Sequence, residues 1–85
     1  MKIDEIRKKL ISKGYYTYYQ GEILIAGTYK GGYKETGINM LENTFSITEL
    51  DNIIVLEHGQ AQLIQEKRFE VVSELFDFIK LKFKK

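Results

Sequence analysis

The chain has 85 residues, 44% of them hydrophobic and 29% charged, with no cysteine and no proline. That composition fits one globular domain spanning residues 1–85 and excludes a disulfide staple or a thiolate metal site. The formal net charge of +1 divides into blocks: seven Lys/Arg against three Asp/Glu over residues 1–34, none against six over 35–66, and six against three over 67–85. These blocks largely neutralise one another once the chain folds.

Met1 leads straight into a charged amphipathic segment, and no apolar run approaches the roughly 18 residues of a membrane span. A cytoplasmic protein without a membrane segment is the expectation.

Ile3, Ile6, Leu10 and Ile11 recur at helical spacing, and Gly14 is a ready left-handed terminator, so a short helix is expected from residue 2 or 4 to 13. At this length it is marginal alone, and its apolar stripe must dock on something. Tyr15 to Tyr29, rich in tyrosine, isoleucine and threonine and broken at Gln20-Gly21-Glu22, reads as a β-hairpin. With an even loop, Tyr16, Tyr18, Gln20, Ile23 and Ile25 share one face, while Tyr15, Thr17, Tyr19, Glu22, Leu24 and Ala26 share the other. An odd loop would reverse one strand. The first set is expected to be core, the second to face outward.

Lys30-Gly31-Gly32-Tyr33 is a turn signal; without a following Lys-Ser/Thr or a G-x-G-x-x-G opening a helix, it is no phosphate loop. Lys34–Leu41 follows as a strand, Glu42-Asn43 permits a turn, and Thr44–Ile47 forms a short further strand. Ile53–Leu56 and Ala61–Ile64 pair about a His58-Gly59 turn, with Ile54, Leu56, Ala61 and Leu63 on one face. The rival reading is a helix from Thr48 to Gly59, against which the β-branched Ile53-Ile54-Val55 run argues. From Arg68 to Phe83, the residues Phe69, Val72, Phe76, Ile79 and Phe83 fall on one helical stripe, with Glu70, Glu74 and Asp77 preceding the terminal lysines as the helix dipole favours.

The expected architecture is α+β: a two-layer sandwich in which N-terminal and C-terminal helices pack on one face of a mainly antiparallel sheet of four to five strands. The sole histidine, His58, falls in a predicted turn with no cysteine to partner it, and the acids lack the spacing of a calcium loop. Catalytic, metal and cofactor residues are therefore assigned to none of the positions, and the protein is expected not to be an enzyme. Nucleic acid is disfavoured as a partner, because the tyrosine hairpin contains no Lys or Arg to neutralise phosphates.

Surplus apolar surface is the more informative feature. A two-layer domain leaves one sheet face uncovered, where Tyr15, Tyr19 and Leu24 are expected, and Val71, Phe78 and Leu81 lie off the main stripe of the C-terminal helix. These six are the candidate partner-binding residues, for another protein or for a second copy in a homodimer.

Met1 to Tyr19, a Lys-rich helix ending Ser12-Lys13-Gly14-Tyr15 and running into a tyrosine-bearing strand, resembles the start of small phage-borne proteins of Gram-positive bacteria. Some small type II anti-CRISPR inhibitors are of this kind. The resemblance covers less than a quarter of the chain, and only residues 35–66 share the acidity of those nucleic-acid mimics. It implies a phage or mobile-element origin and an inhibitor or adaptor acting on a bacterial protein.

Overall fold

The computed structural model describes residues 2–33, 38–60 and 62–83, with the side chains of residues 29–33, 38–42 and 60 left aside. They form α1 (Lys2–Ser12), β1 (Tyr16–Gln20), β2 (Ile23–Tyr33), β3 (Ile38–Leu50), β4 (Ile53–Gln60), β5 (Leu63–Phe69) and α2 (Val72–Lys82). The strands make one antiparallel meander in the order β1-β2-β3-β4-β5. Both helices bury their stripes against the same face, giving the expected α+β arrangement.

The end of α1 determines how the chain enters the sheet. Gly14 adopts φ 93, its N–H donates to the Ile11 carbonyl, and the Tyr15 N–H donates to the Leu10 carbonyl, both at 3.0 Å. This is the Schellman arrangement, in which the residue after the glycine packs back on the last helical turn. Tyr15 and Leu10 accordingly both lie in the core. The opposite pole is Phe83, whose N–H caps the Ile79 carbonyl at 2.8 Å at the end of α2. The Tyr15 hydroxyl donates to the Phe83 carbonyl at 2.6 Å in a buried hydrogen bond, satisfying one of the acceptors that a helix end leaves open. The Phe83 ring lies 4.5 Å from that of Phe45 and edge-on to that of His58 at 5.3 Å.

Cross-strand register lines up two apolar rows beneath the helices. Leu24 pairs with Ile47 and Ile47 with Leu56, while Ala26 pairs with Phe45 and Phe45 with His58. Ile3, Ile6 and Leu10 of α1 and Leu75 and Ile79 of α2 complete the core.

Several boundaries differ from the sequence expectation for local reasons. β2 continues through the glycine pair, with Gly31 opposite Met40 and Tyr33 opposite Ile38; residues 34–37 of the expected third strand lie outside the described residues. Glu42-Asn43 makes no turn: Glu42 pairs with Thr28, and Asn43-Thr44 forms a bulge within β3. Asn43 takes φ 53, and the register steps from Ala26–Phe45 to Thr28–Glu42, so Gly27 opposes two residues.

The expected His58-Gly59 turn lies three residues further on, between Gln60 and Leu63, with Gln62 at φ 67. Because two residues still separate the paired strand ends, the slide preserves strand alternation, and Ile54, Leu56 and Leu63 still share a face. It also lengthens the ladder until Phe69 stands opposite Ile54, which takes Arg68 and Phe69 out of the helix and starts α2 at Val72. The Thr48–Gly59 helix reading is not what forms. His58 becomes a buried strand residue packed among Phe78 and Phe83, not a solvated turn residue.

Replacing Tyr15 by Phe should leave the buried Phe83 carbonyl without its donor and cost about 1–2 kcal/mol. Urea denaturation checks this, and thermal melting should show a fall in Tm of roughly 5–15 °C. Burial also pushes the Tyr15 phenol above the ordinary tyrosine value of 10.0. With the folded pKa above the unfolded one, the phenol's contribution is complete below pH 10.0 and is lost as pH rises through the higher folded value. The Tyr15→Phe variant should therefore lose stability less steeply above pH 10.0 than the wild type, read from melting temperatures across that range.

Candidate interaction surface

The first hairpin has an even, two-residue loop, the first of the two cases the sequence leaves open, with Gln20 opposite Ile23, Tyr18 opposite Ile25 and Tyr16 opposite Gly27. The grouping into faces is as expected, but the faces are exchanged. Tyr15 and Leu24, expected outside, are 8% and 0% exposed, whereas Tyr18 and Ile23, expected inside, are 44% and 39% exposed.

The hairpin alone does not decide this, because both of its faces are comparably apolar. Strand β3 decides it: Thr44, Ser46 and Thr48 alternate with Phe45 and Ile47, so only the face holding Phe45 and Ile47 can bury a continuous row. That strict alternation was the signal in the sequence. Leu24 and Ala26 follow Ile47 and Phe45 inward, and Tyr18, Ile23 and Ile25 are left on the uncovered side.

The remaining candidates separate. Tyr19 lies at the margin of the helix-covered face. Its hydroxyl donates to Asp4 Oδ1 at 2.6 Å, and the Arg7 guanidinium sits 5.6 Å from its ring centroid. The hydrogen bond to the Asp4 carboxylate raises its phenol pKa first, burial and the Asp4 charge add to this, and the Arg7 charge opposes it. Tyr19 thus fastens α1 to β1. Phe78 is half-buried, with its ring 5.6 Å from that of Phe69 and 6.1 Å from that of His58, so it belongs to the core margin. Val71 is the N-cap of α2 and Leu81 lies in its last turn, both exposed. About ten residues of helix, roughly 15 Å, separate them, so the expected shoulder of Val71, Phe78 and Leu81 is not one patch.

The surface that does form is the uncovered sheet face. Its central row runs Ile25, Ser46, Glu57, Glu66 across β2 to β5, and the next row runs Thr48, Val55, Arg68. Tyr18, Ile23, Ile64 and Leu50 project around these rows and are exposed. Val55 is only 6% exposed although no helix lies over it, held between its cross-strand neighbours Thr48 and Arg68.

Charge is sparse among the described residues of this face. Arg68 Nε donates to Glu66 Oε2 at 2.9 Å, and Glu57 makes no hydrogen bond or ion pair among the described residues. A shallow hollow of about 240 Å³ opens on this face, lined by Ile25, Thr44, Ser46, Glu57, Gly59 and Ile64, with Phe45 and His58 contributing from between them.

Among the described residues no three His, Asp or Glu side chains converge as metal ligands would, and no helix is long and apolar enough to cross a membrane. Comparison of the chain with protein-family models, curated proteins and solved structures returned no match.

Two substitutions one residue apart separate the faces. Leu24→Ala should destabilise by about 2–5 kcal/mol, as a fully buried leucine truncated to alanine does. Ile23→Ser should change stability by less than about 1 kcal/mol. Parallel chemical denaturation of the two variants checks the difference.

Proposed function

We propose that the protein is a non-enzymatic binding module that captures another protein on its uncovered sheet face. The observation that carries this reading is the set of tyrosine and isoleucine side chains, Tyr18, Ile23, Ile25 and Ile64, standing on a face no helix covers. Aromatic and branched apolar residues on an open sheet form contact surfaces because they bring large area at little rotamer entropy.

Size supports the same reading. Five strands about 4.8 Å apart and some 20 Å long offer a flat area of about 500 Å², the scale of a modest, reversible interface.

Nucleic acid fits this face poorly, since its one described cation, Arg68, is held by Glu66. A second copy of the chain is the rival occupant, and light scattering over a dilution series separates it; the present reading expects a monomer at micromolar concentration. The resemblance of the first nineteen residues to phage-borne proteins supports a bacterial partner and a role as inhibitor or adaptor.

The experiment is comparative capture from a bacterial lysate with three baits: wild type, Tyr18→Ser/Ile23→Ser and Val71→Ser/Leu81→Ser. The open-face variant should lose the wild-type prey while keeping its circular dichroism and melting temperature, and the helix variant should retain the prey. Prey that survives the open-face change, or is lost with the helix change, contradicts the assignment of the face.

A further inference from the structure

Resting on the binding face just described, we infer that the hollow between Ile25 and Ile64 seats one arginine or lysine side chain of the partner protein. Three features converge there. Ile25 and Ile64 are apolar walls on either side of small residues, Ser46, Thr44 and Gly59, so the about 240 Å³ hollow is formed by side chains that are short or absent. This equals roughly eight water volumes, room for a long, thin side chain. Glu57 stands in the same lining with a carboxylate that has no partner among the described residues. An aliphatic stem against isoleucine with a cation at its tip is the side chain that satisfies both, since Lys and Arg pack their methylenes on apolar surface and keep the charge at the end.

Gly59 is the independent indication. Its φ is not in the left-handed region, and a Cβ built there meets nothing within 4 Å. Neither backbone strain nor internal crowding requires a glycine at this strand position, and a β-branched residue would suit the strand better. What the missing side chain provides is the floor of the hollow. Charge complementarity names the occupant, because the neighbouring acid, Glu66, is already engaged by Arg68 at 2.9 Å, leaving Glu57, among the described residues, as the one unsatisfied charge at the rim.

The test is a titration of isotopically labelled protein, followed by amide chemical shifts, with butylguanidinium as the probe and n-butanol and butyrate as the apolar and anionic controls. Butylguanidinium should shift the amides of Ser46, Glu57 and Gly59 saturably, n-butanol should bind several-fold more weakly, and butyrate should leave them unmoved. Glu57→Gln should weaken the probe about three- to fivefold, the range of an exposed ion pair. Gly59→Leu fills the hollow and should abolish the shifts while amide dispersion elsewhere is unchanged; should that variant fail to fold, Glu57→Gln alone decides. Equal binding of n-butanol, shifts centred elsewhere, or Glu57→Gln binding like wild type would each overturn the inference. In lysate capture, loss of prey with Tyr18→Ser/Ile23→Ser but not with Glu57→Gln or Gly59→Leu would refute the seat and leave the binding face standing. Retention of prey by all of them would refute the face itself.

Discussion

The hydrogen bond from the Tyr15 hydroxyl to the Phe83 carbonyl ties together the two ends of the chain, 68 residues apart in sequence, at a buried point. It is the constraint from which the rest follows. Tyr15 can reach that carbonyl only because Gly14, in the left-handed region, turns the chain back over Leu10. Phe83 in turn is fixed by its ring against Phe45 and His58. Aromatic contacts of this kind add about 0.5–1.5 kcal/mol each beyond area burial. One side of the sheet thereby receives both helices. A chain this short has no third helix among its described residues to lay on the other side.

Which side is covered was settled by the middle of the sheet. The rows Leu24–Ile47–Leu56 and Ala26–Phe45–His58 bury continuously, whereas the opposite row, Ile25–Ser46–Glu57–Glu66, would place a serine and two carboxylates under a helix. Burying those acids costs far more than exposing a few tyrosines and isoleucines. The open face is thus a by-product of satisfying the core, and its residual apolar side chains and Glu57, unpaired among the described residues, are what it can offer a partner. On the helix-covered side, the aromatic and cationic residues are already engaged with each other, as Lys9 and Lys13 are over the Phe76 ring and Arg7 over Tyr19.

The architecture was legible in the sequence because its signals are local. Helical periodicity from Ile3 to Ile11 and from Val72 to Phe83, and the Gln20-Gly21-Glu22 break, each report on a few neighbouring residues. The orientation of the first hairpin was not legible from the hairpin, since its two faces are nearly equal in apolar content. It depended on register against β3, a long-range quantity. The same holds for His58, whose burial follows from a three-residue slide of the β4–β5 turn that Gly59 had seemed to locate. Two readable local signals went unused: the Thr44-Phe45-Ser46-Ile47-Thr48 alternation, and the rule that the residue after a helix-terminating glycine packs inward, which places Tyr15. The hollow at Gly59 could not be foreseen, because it exists only where β3 and β4 set small residues side by side.

The central claim, that Tyr15 is sealed beneath the helices while the other sheet face is open, is tested most directly by tyrosine nitration at neutral pH with the modified sites mapped by mass spectrometry. Tyr18 should be nitrated readily, and Tyr15, buried, hydrogen-bonded and with its phenol pKa raised, should be protected until the protein is unfolded. Nitration of Tyr15 at a rate matching that of Tyr18 in the folded protein would contradict the account.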